Sequence, residues 1–223
     1  MRCPDCGFEI KALPCERCAW EAAEHEREMQ NLVEEFLLVR GAPETDASRA
    51  SLDFALVCLE KRLGTERFQG TVSYNARDLL RAQRWWYIPY HWIGCNGFIV
   101  SLDCGYVNWL GSALSLKNCF WGHERGVVCD LVDFAFAPET DMALAGRLLG
   151  RFKHMHPNAS GVLPGEPVWY RESEIPSALS NQFPMFRRHF VWFAIPELFH
   201  AYEMEGLRFT CSQSAAAAQI GSS

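Results

Sequence analysis

Residues 85–111, WWYIPYHWIGCNGFIVSLDCGYVNWLG, decide the fold class of this chain. The segments WWYIPYHW, GFIVSL and YVNWLG within them are rich in aromatic and β-branched residues, which favour strands. The tripeptide DCG, which ends at Gly105, separates the last two segments and is typical of a hairpin turn. We therefore predict an antiparallel hairpin over residues 97–113, with Ile99 and Val107 buried and with Gly105 at a positive φ.

The flanking sequence sets the class of the whole fold. Helical apolar stripes precede the strands at residues 19–39 and 46–63, and another follows at 141–152. Further strand patterns occur at VVCDLVDFAF, HFVWFAI and LRFTCS, whereas residues 74–83 indicate a short helix and residues 154–168 a loop. Because the strands cluster instead of alternating with helices, we predict an α+β fold with a single antiparallel sheet flanked by helices.

Four cysteines near the amino terminus form two Cys-x-x-C pairs, Cys3 with Cys6 and Cys15 with Cys18. Each pair places two sulfurs at one tight turn, and two such turns supply four thiolates, the ligand set of a tetrahedral structural zinc site. Iron also binds four thiolates, and a Cys-x-x-C pair also occurs as a redox motif, although that motif needs a strand–helix context that is absent here. The spacing predicts a small zinc ribbon. Its Zn²⁺ has no open coordination position, so catalysis at the metal is not expected.

These patterns divide the chain into four predicted segments. Residues 1–20 form the zinc ribbon, residues 21–43 an acidic helical arm, residues 44–212 the α+β domain, and residues 213–223 a disordered tail. Residues 1–43 hold nine acidic and five basic side chains, so the amino-terminal part of the chain is acidic.

The composition restricts the classes of partner and compartment. The 223 residues carry a formal net charge of -6, which disfavours the phosphate backbone of a nucleic acid as a partner and favours a basic protein. The sequence shows no apolar export signal and no apolar run long enough to span a bilayer. Ten cysteines without an export signal indicate a reducing, cytoplasmic location.

A row of aromatic residues opens the strand-rich stretch and is a candidate protein-binding surface. Strand alternation buries one set of these side chains and exposes the other, and exposed Trp and Tyr are common anchors of interfaces. Alternatively, helices or the zinc ribbon cover both faces of the sheet, and the aromatic residues then belong to the core. The candidate residues are Trp85, Trp86, Tyr87, Tyr90 and Trp92.

The sequence has no glycine-rich phosphate loop, no Gly-x-Ser-x-Gly elbow and no His-Glu-x-x-His motif, which favours a non-enzymatic binding protein. Two alternatives stay open. One is an enzyme that uses a cysteine with a nearby histidine, either Cys119 with His123 or Cys95 with His91. The other is a nucleic-acid-associated zinc-ribbon protein with a basic helix edge at Arg77, Arg81 and Arg84.

The segment GCNGFIVSLDCGYVNWLGSA, residues 94–113, resembles the hairpin of small bacterial immunity proteins from polymorphic toxin systems. In that family, a strand that ends in a glycine-rich turn is followed by a second strand and a Gly-Ser/Thr-Ala corner. The resemblance covers 20 of the 223 residues. It implies an acidic α+β protein that neutralises a cognate, basic toxin by direct binding and has no catalytic activity of its own.

Overall fold

In the part of the chain that the structure describes, the strands form two antiparallel sheets of five strands each, with helices packed around them. This arrangement confirms the α+β class, whereas the prediction of a single sheet is wrong. The computed structural model describes residues 2–4, 6–7, 9, 15–65, 74–92, 95–112, 114–128, 131–155, 167–169, 171–182, 184–191 and 194–213. None of the helices within these ranges is long and apolar enough to cross a membrane.

The first sheet is a meander in which chain neighbours are also sheet neighbours. Its strands are β1 (Val39–Arg40), β2 (Leu80–Arg81), β3 (Trp85–Trp92), β4 (Cys95–Ser101) and β5 (Val107–Gly111). They lie in the order β1-β2-β3-β4-β5. Most of the pairings therefore need only a short connection. The exception is the long segment between β1 and β2, which contains a helix.

The hairpin between β4 and β5 confirms the prediction for this part of the chain. Val100 pairs with Val107, and the amide of Gly105 donates to the carbonyl oxygen of Ser101 at 2.9 Å. Gly105 has a φ of 66°, in the left-handed region that favours glycine. Ile99 and Val107 are both buried, as the alternation along the two strands predicts.

Helices cover both faces of the first sheet. They are α1 (Glu16–Glu35), α2 (Asp46–Thr65) and α3 (Leu116–Glu124). Met29 of α1 and Phe120 of α3 pack with Trp85 in the core on one face. Leu59 of α2 packs in the core on the other face, which contains Trp86. The sheet is thus buried between α2 on one side and α1 with α3 on the other.

The second sheet pairs strands that lie far apart in the sequence. Its strands are β6 (Leu131–Phe136), β7 (Lys153–Met155), β8 (Pro167–Trp169), β9 (Met185–Phe190) and β10 (Phe209–Gln213). They lie in the order β10-β6-β9-β7-β8. The remaining helices are α4 (Met142–Leu149), α5 (Ile175–Gln182) and α6 (Ile195–Phe199), and α6 continues into a π-helical turn, His200–Met204. Phe134 and Phe186 of this sheet share a core with Leu148 of α4 and Leu198 of α6.

Each sheet with the helices packed on it forms one half of the fold, and helix α3 connects the two halves. Phe120 belongs to the core of the first sheet, and its neighbour Trp121 belongs to the core of the second. Gly126 follows α3 with a φ of +84°, and a Cβ atom there would lie 2.2 Å from the carbonyl oxygen of Cys211 in β10. Glycine is therefore required where the chain leaves α3 and passes close to the second sheet.

Three local predictions are wrong, because tertiary pairing overrides the local pattern. Residues 74–83 contain a short 3-10 turn, Ala76–Asp78, and then β2, instead of one helix. The ends of the predicted loop 154–168 pair with each other as β7 and β8, and residues 156–166 lie outside the described residues. The strand predicted at HFVWFAI begins earlier, at Met185, and the end of that segment starts α6.

The predicted boundary between ribbon and arm falls inside a helix, since α1 begins at Glu16. Every side chain from 19 to 28 is exposed, whereas Met29 and Leu32 are buried against the first sheet. The division of the chain at the predicted segment boundaries stays a prediction. Apart from Gln213, the predicted tail lies outside the described residues.

Candidate metal centre

The four amino-terminal cysteines meet at one point in the structure. The sulfur of Cys3 lies 3.7 Å from that of Cys18, and the sulfur of Cys6 lies 3.8 Å from that of Cys15. All four sulfur atoms lie within 4.8 Å of one another. Cys3 and Cys15 are buried, and the other two are half-buried. The structure thus brings together all four predicted metal ligands.

The two Cys-x-x-C pairs reach this point through different local structures. In the first pair, the amide of Gly7 donates to the carbonyl oxygen of Cys3 at 2.9 Å, and Gly7 has a φ of 71°. In the second pair, Cys15 is the N-cap residue of α1, and the amide of Ala19 donates to its carbonyl oxygen. A glycine turn and the first turn of a helix therefore present two sulfurs each.

The spacing of the sulfurs fits a single tetrahedral ion. Four sulfurs placed about 2.3 Å from a central ion lie about 3.8 Å apart along the edges of the tetrahedron. The observed separations of 3.7 Å and 3.8 Å match this edge. A disulfide needs a separation of about 2.0 Å, so these pairs are not placed as disulfides. The four cysteines can hold one metal ion, and their number leaves no open position for a substrate.

The start of α1 favours negative charge on these sulfurs. Cys15 and Cys18 lie at the N-cap and in the first turn, where the unpaired helix amides and the helix dipole stabilise anions. Without a cation, the thiols share protons, and the pKa of Cys18 is raised, above all by its hydrogen bond with Cys6. A bound cation removes those protons, so metal binding and proton release are coupled at this cluster.

The aromatic row predicted as a partner surface is largely core. Trp85, Trp86 and Tyr87 are all buried, at 1%, 1% and 2% exposure. Both sets of alternating side chains are covered, because helices pack on both faces of the first sheet. These three residues are thus not an exposed platform. Tyr90 is half-buried and packs beside Phe98, and the side chain of Trp92 lies outside the described residues.

The three arginines suggested for nucleic-acid contact do not share a helix edge. Arg77 lies in the 3-10 turn, Arg81 lies in β2, and Arg84 follows that strand. Arg81 is placed over the ring of Trp86, with 5.8 Å to the ring centroid. Arg84 pairs with Asp103 of the hairpin turn. The basic helix edge proposed for nucleic-acid binding is therefore not formed.

The cysteine–histidine pair on α3 has the wrong electrostatics for an activated thiolate. Burial raises the pKa of Cys119 to about 12, which keeps its thiol protonated near neutral pH. Burial also lowers the pKa of His123 to about 3, which keeps its imidazole neutral. The His123 Nε2 atom lies 3.1 Å from the side-chain amide of Asn108, which donates to it. Cys119 and His123 are thus two buried, uncharged side chains.

Sequence reasoning missed a cleft of about 420 Å³ that lies where the ends of α1 and α3 meet α6. Its lining includes Leu37, Trp121 and Glu203 from three separate parts of the chain. No local motif marks these residues, because only the packing of the two halves brings them together.

Comparisons of this chain with protein-family models, with curated proteins and with solved structures give no significant match.

Proposed function

We propose that the four cysteines bind one zinc ion and that the protein is a non-enzymatic binding protein with a basic protein partner. The observation that carries the metal assignment is the 3.7 Å and 3.8 Å separation of the paired sulfurs. Zinc suits four thiolates in a tetrahedron and has no redox chemistry, so its role here is to hold the chain together. Iron in the same four-thiolate site is the alternative that metal analysis distinguishes.

The role of the zinc is to fix the amino-terminal half of α1. No side chain from 19 to 28 is buried, so this part of the helix lacks a hydrophobic anchor of its own. An isolated helix of this length is marginal in water. The metal ties the first turn of α1 to Cys3 and Cys6, and Met29 and Leu32 anchor the other end on the first sheet. The exposed half of α1 is therefore held at both ends.

The charge of α1 supports a basic partner. The helix carries seven glutamates and two arginines, and Trp20 within it is 62% exposed. An exposed tryptophan surrounded by negatively charged side chains is a suitable anchor for a positively charged partner. The resemblance of residues 94–113 to immunity proteins supports a toxin as that partner, and the net charge of -6 supports a basic one.

Co-expression with the product of an adjacent gene tests the immunity role. The protein is expected to protect cell growth from that product and to co-purify with it in a one-to-one complex. The variant Trp20→Ala is expected to weaken the complex, with Trp109→Phe, a conservative change in the first sheet, as the control. A neighbouring product that is harmless to cells, or that does not bind the purified protein, contradicts the immunity role.

A further inference from the structure

Leu37 lies at the edge of the cleft between the two halves of the fold and has an unusual conformation. Leu37 lies just beyond the end of α1, has a φ of 52° and is 89% exposed. The turn closes through a hydrogen bond from the amide of Leu38 to the carbonyl oxygen of Val33, which is typical of a helix end with glycine at the left-handed position. Leucine there carries backbone strain and also leaves a large apolar side chain in water.

Several side-chain contacts hold together the part of the cleft that α3 and α6 form. The guanidinium of Arg125 lies 4.1 Å from the ring centroid of Trp121 and 4.8 Å from that of Tyr202. Glu203 pairs with Arg125 and also accepts a hydrogen bond from the indole of Trp121 at 3.1 Å. Phe199 packs edge-on against Trp121, which completes an aromatic wall held by polar contacts. A pre-formed wall lowers the entropy lost when a partner docks.

The charge of the cleft favours a cationic occupant. Its ionisable lining consists of three glutamates and one arginine; Glu203 pairs with Arg125 and Glu35 pairs with Lys117 at 2.8 Å, so the excess negative charge is that of Glu124. Glu124 is exposed, and its carboxylate accepts a hydrogen bond from a neutral donor, the indole of Trp85, at 2.8 Å. A lysine or arginine beside the cleft would therefore meet the carboxylate of Glu124, whereas an acidic segment would be repelled by it.

We propose that this cleft docks a segment of a basic protein partner, which packs an apolar side chain between Leu37 and Trp121 and places a lysine or arginine beside Glu124. The inference rests on the protein-binding part of the proposed function and names its surface. An apolar side chain of the partner that covers Leu37 would remove its exposure to water, and this gain would offset the cost of holding leucine at a positive φ. Continuity with α1 extends the acidic surface from the cleft along the helix.

Titration with a fluorescein-labelled, amphipathic leucine–lysine peptide tests this site, with a leucine–glutamate peptide of the same pattern as the probe of opposite charge. The first peptide is expected to bind about tenfold or more tightly than the second. Leu37→Gly is expected to weaken binding by about tenfold and yet to raise the Tm, because glycine relieves the strain at this turn. Glu124→Gln, which keeps an acceptor for the Trp85 indole, is expected to weaken binding by about fivefold.

Matched controls lie on α2, away from the cleft. Val57 is 63% exposed, and Glu60 is exposed on the same helix. Val57→Ala and Glu60→Gln should leave the peptide affinity within about twofold of the parent value. If these controls weaken binding as much as the cleft variants do, the peptide binds through general charge and the docking site is refuted.

Indole N–H resonances provide a local readout of occupancy. The indoles of Trp85 and Trp121 donate to Glu124 and Glu203 of the cleft, whereas the indole of Trp86 donates to Ser51 on the far face of the first sheet. The leucine–lysine peptide is expected to shift the first two resonances and to leave that of Trp86 in place. Shifts at Trp86 alone, or no shifts at saturation, overturn the site.

Two further results distinguish a failure of the docking site from a failure of the proposed function. A basic partner that binds the parent protein and the Leu37→Gly variant equally well would refute the cleft and leave protein binding intact. A concentration-dependent dimer that Leu37→Gly dissociates would assign the cleft to a second copy of this chain and contradict a basic partner.

Discussion

Trp85 and Trp86 are adjacent in the sequence but lie in two different cores. Trp85 packs with α1 and α3, and its indole donates to Glu124 at 2.8 Å. Trp86 packs with α2 on the opposite face, and its indole donates to the hydroxyl of Ser51 at 3.0 Å. Each indole N–H thus has a polar partner beside an apolar core, which satisfies the donor that burial would otherwise leave unpaired.

The bond between Ser51 and Trp86 gives a first prediction. Ser51→Ala leaves the buried indole N–H of Trp86 without an acceptor, so the free energy of unfolding is expected to fall by about 1–3 kcal/mol. Urea unfolding followed by tryptophan fluorescence measures the loss. Ser173→Ala, at an exposed position in a 3-10 turn, should stay within about 0.5 kcal/mol of the parent. Equal stability of the two variants would show that the indole N–H has another acceptor.

The passage of Gly126 beside β10 gives a second prediction. A Cβ at this position would lie 2.2 Å from the carbonyl oxygen of Cys211, and the φ of +84° is itself strained for alanine. Gly126→Ala is therefore expected to lower the free energy of unfolding by about 2–4 kcal/mol. Gly64→Ala is the matched control, since Gly64 lies in α2 with nothing within 4 Å of a Cβ, and alanine there should stabilise the helix slightly. If Gly126→Ala unfolds at the same urea concentration as the parent, the close approach of the two halves is wrong.

The buried imidazole of His123 gives a third prediction, for stability against pH. Burial holds the pKa of His123 at about 3 in the folded protein, below the ordinary value of about 6.5 in the unfolded chain. Between these two pKa values, His123 is protonated in the unfolded chain but neutral in the folded protein. The free energy of unfolding therefore falls as the pH drops below about 6.5. From pH 7.5 to pH 4.5 this group alone is expected to remove about 2.5 kcal/mol.

His123→Gln isolates this contribution, because its side-chain oxygen can accept from Asn108 and does not titrate. The loss of stability between pH 7.5 and pH 4.5 should be smaller in the variant by about 2.5 kcal/mol, as measured by urea unfolding at both pH values. The cysteine cluster is the same in both proteins, so its own pH dependence cancels. Identical pH profiles for the two proteins would mean that His123 is protonated in the fold.

Local signals in the sequence predicted the parts of the fold that depend on local chemistry. The hairpin turn at Gly105 follows from a residue that must take a positive φ, and the four cysteines follow from ligand spacing. Helix α3 was missed because it is buried nearly all round, with Phe120, Trp121 and Gly122 on different sides, so no single apolar stripe marks it.

The second sheet and the cleft could not be predicted in the same way. Strand β6 pairs with β10, and this pairing joins Phe136 to Phe209 across a long segment of chain that no local pattern specifies. Alternation along β3 shows which residues share a face but not whether a helix covers it, so the burial of Trp85 and Trp86 depends on tertiary packing. The left-handed turn at Leu37 lacks the glycine that normally signals it.

Removal of the metal gives a fourth prediction, for the exposed half of α1. A chelator should release the first turn of the helix, and residues 19–28 should then unfold because none of them is buried. Tryptic cleavage after Arg17 and Arg27 is expected to accelerate about tenfold or more, because local unfolding controls access. Cleavage after Arg49 in α2 should be unchanged, since that helix packs through Leu52 and Leu59. Equal acceleration at all three sites would mean that the metal supports the whole fold.

The metal content of the purified protein is the most direct test of the central claim that Cys3, Cys6, Cys15 and Cys18 form a zinc site. After purification under reducing, chelator-free conditions, elemental analysis is expected to find one zinc per chain, with these four thiols protected from a chromogenic thiol reagent. Cys15→Ser should lose the zinc and expose the remaining three thiols, whereas Cys104→Ser, at an exposed cysteine outside the cluster, should keep it. A zinc content near zero in the parent protein, with all four thiols freely reactive, would contradict the account.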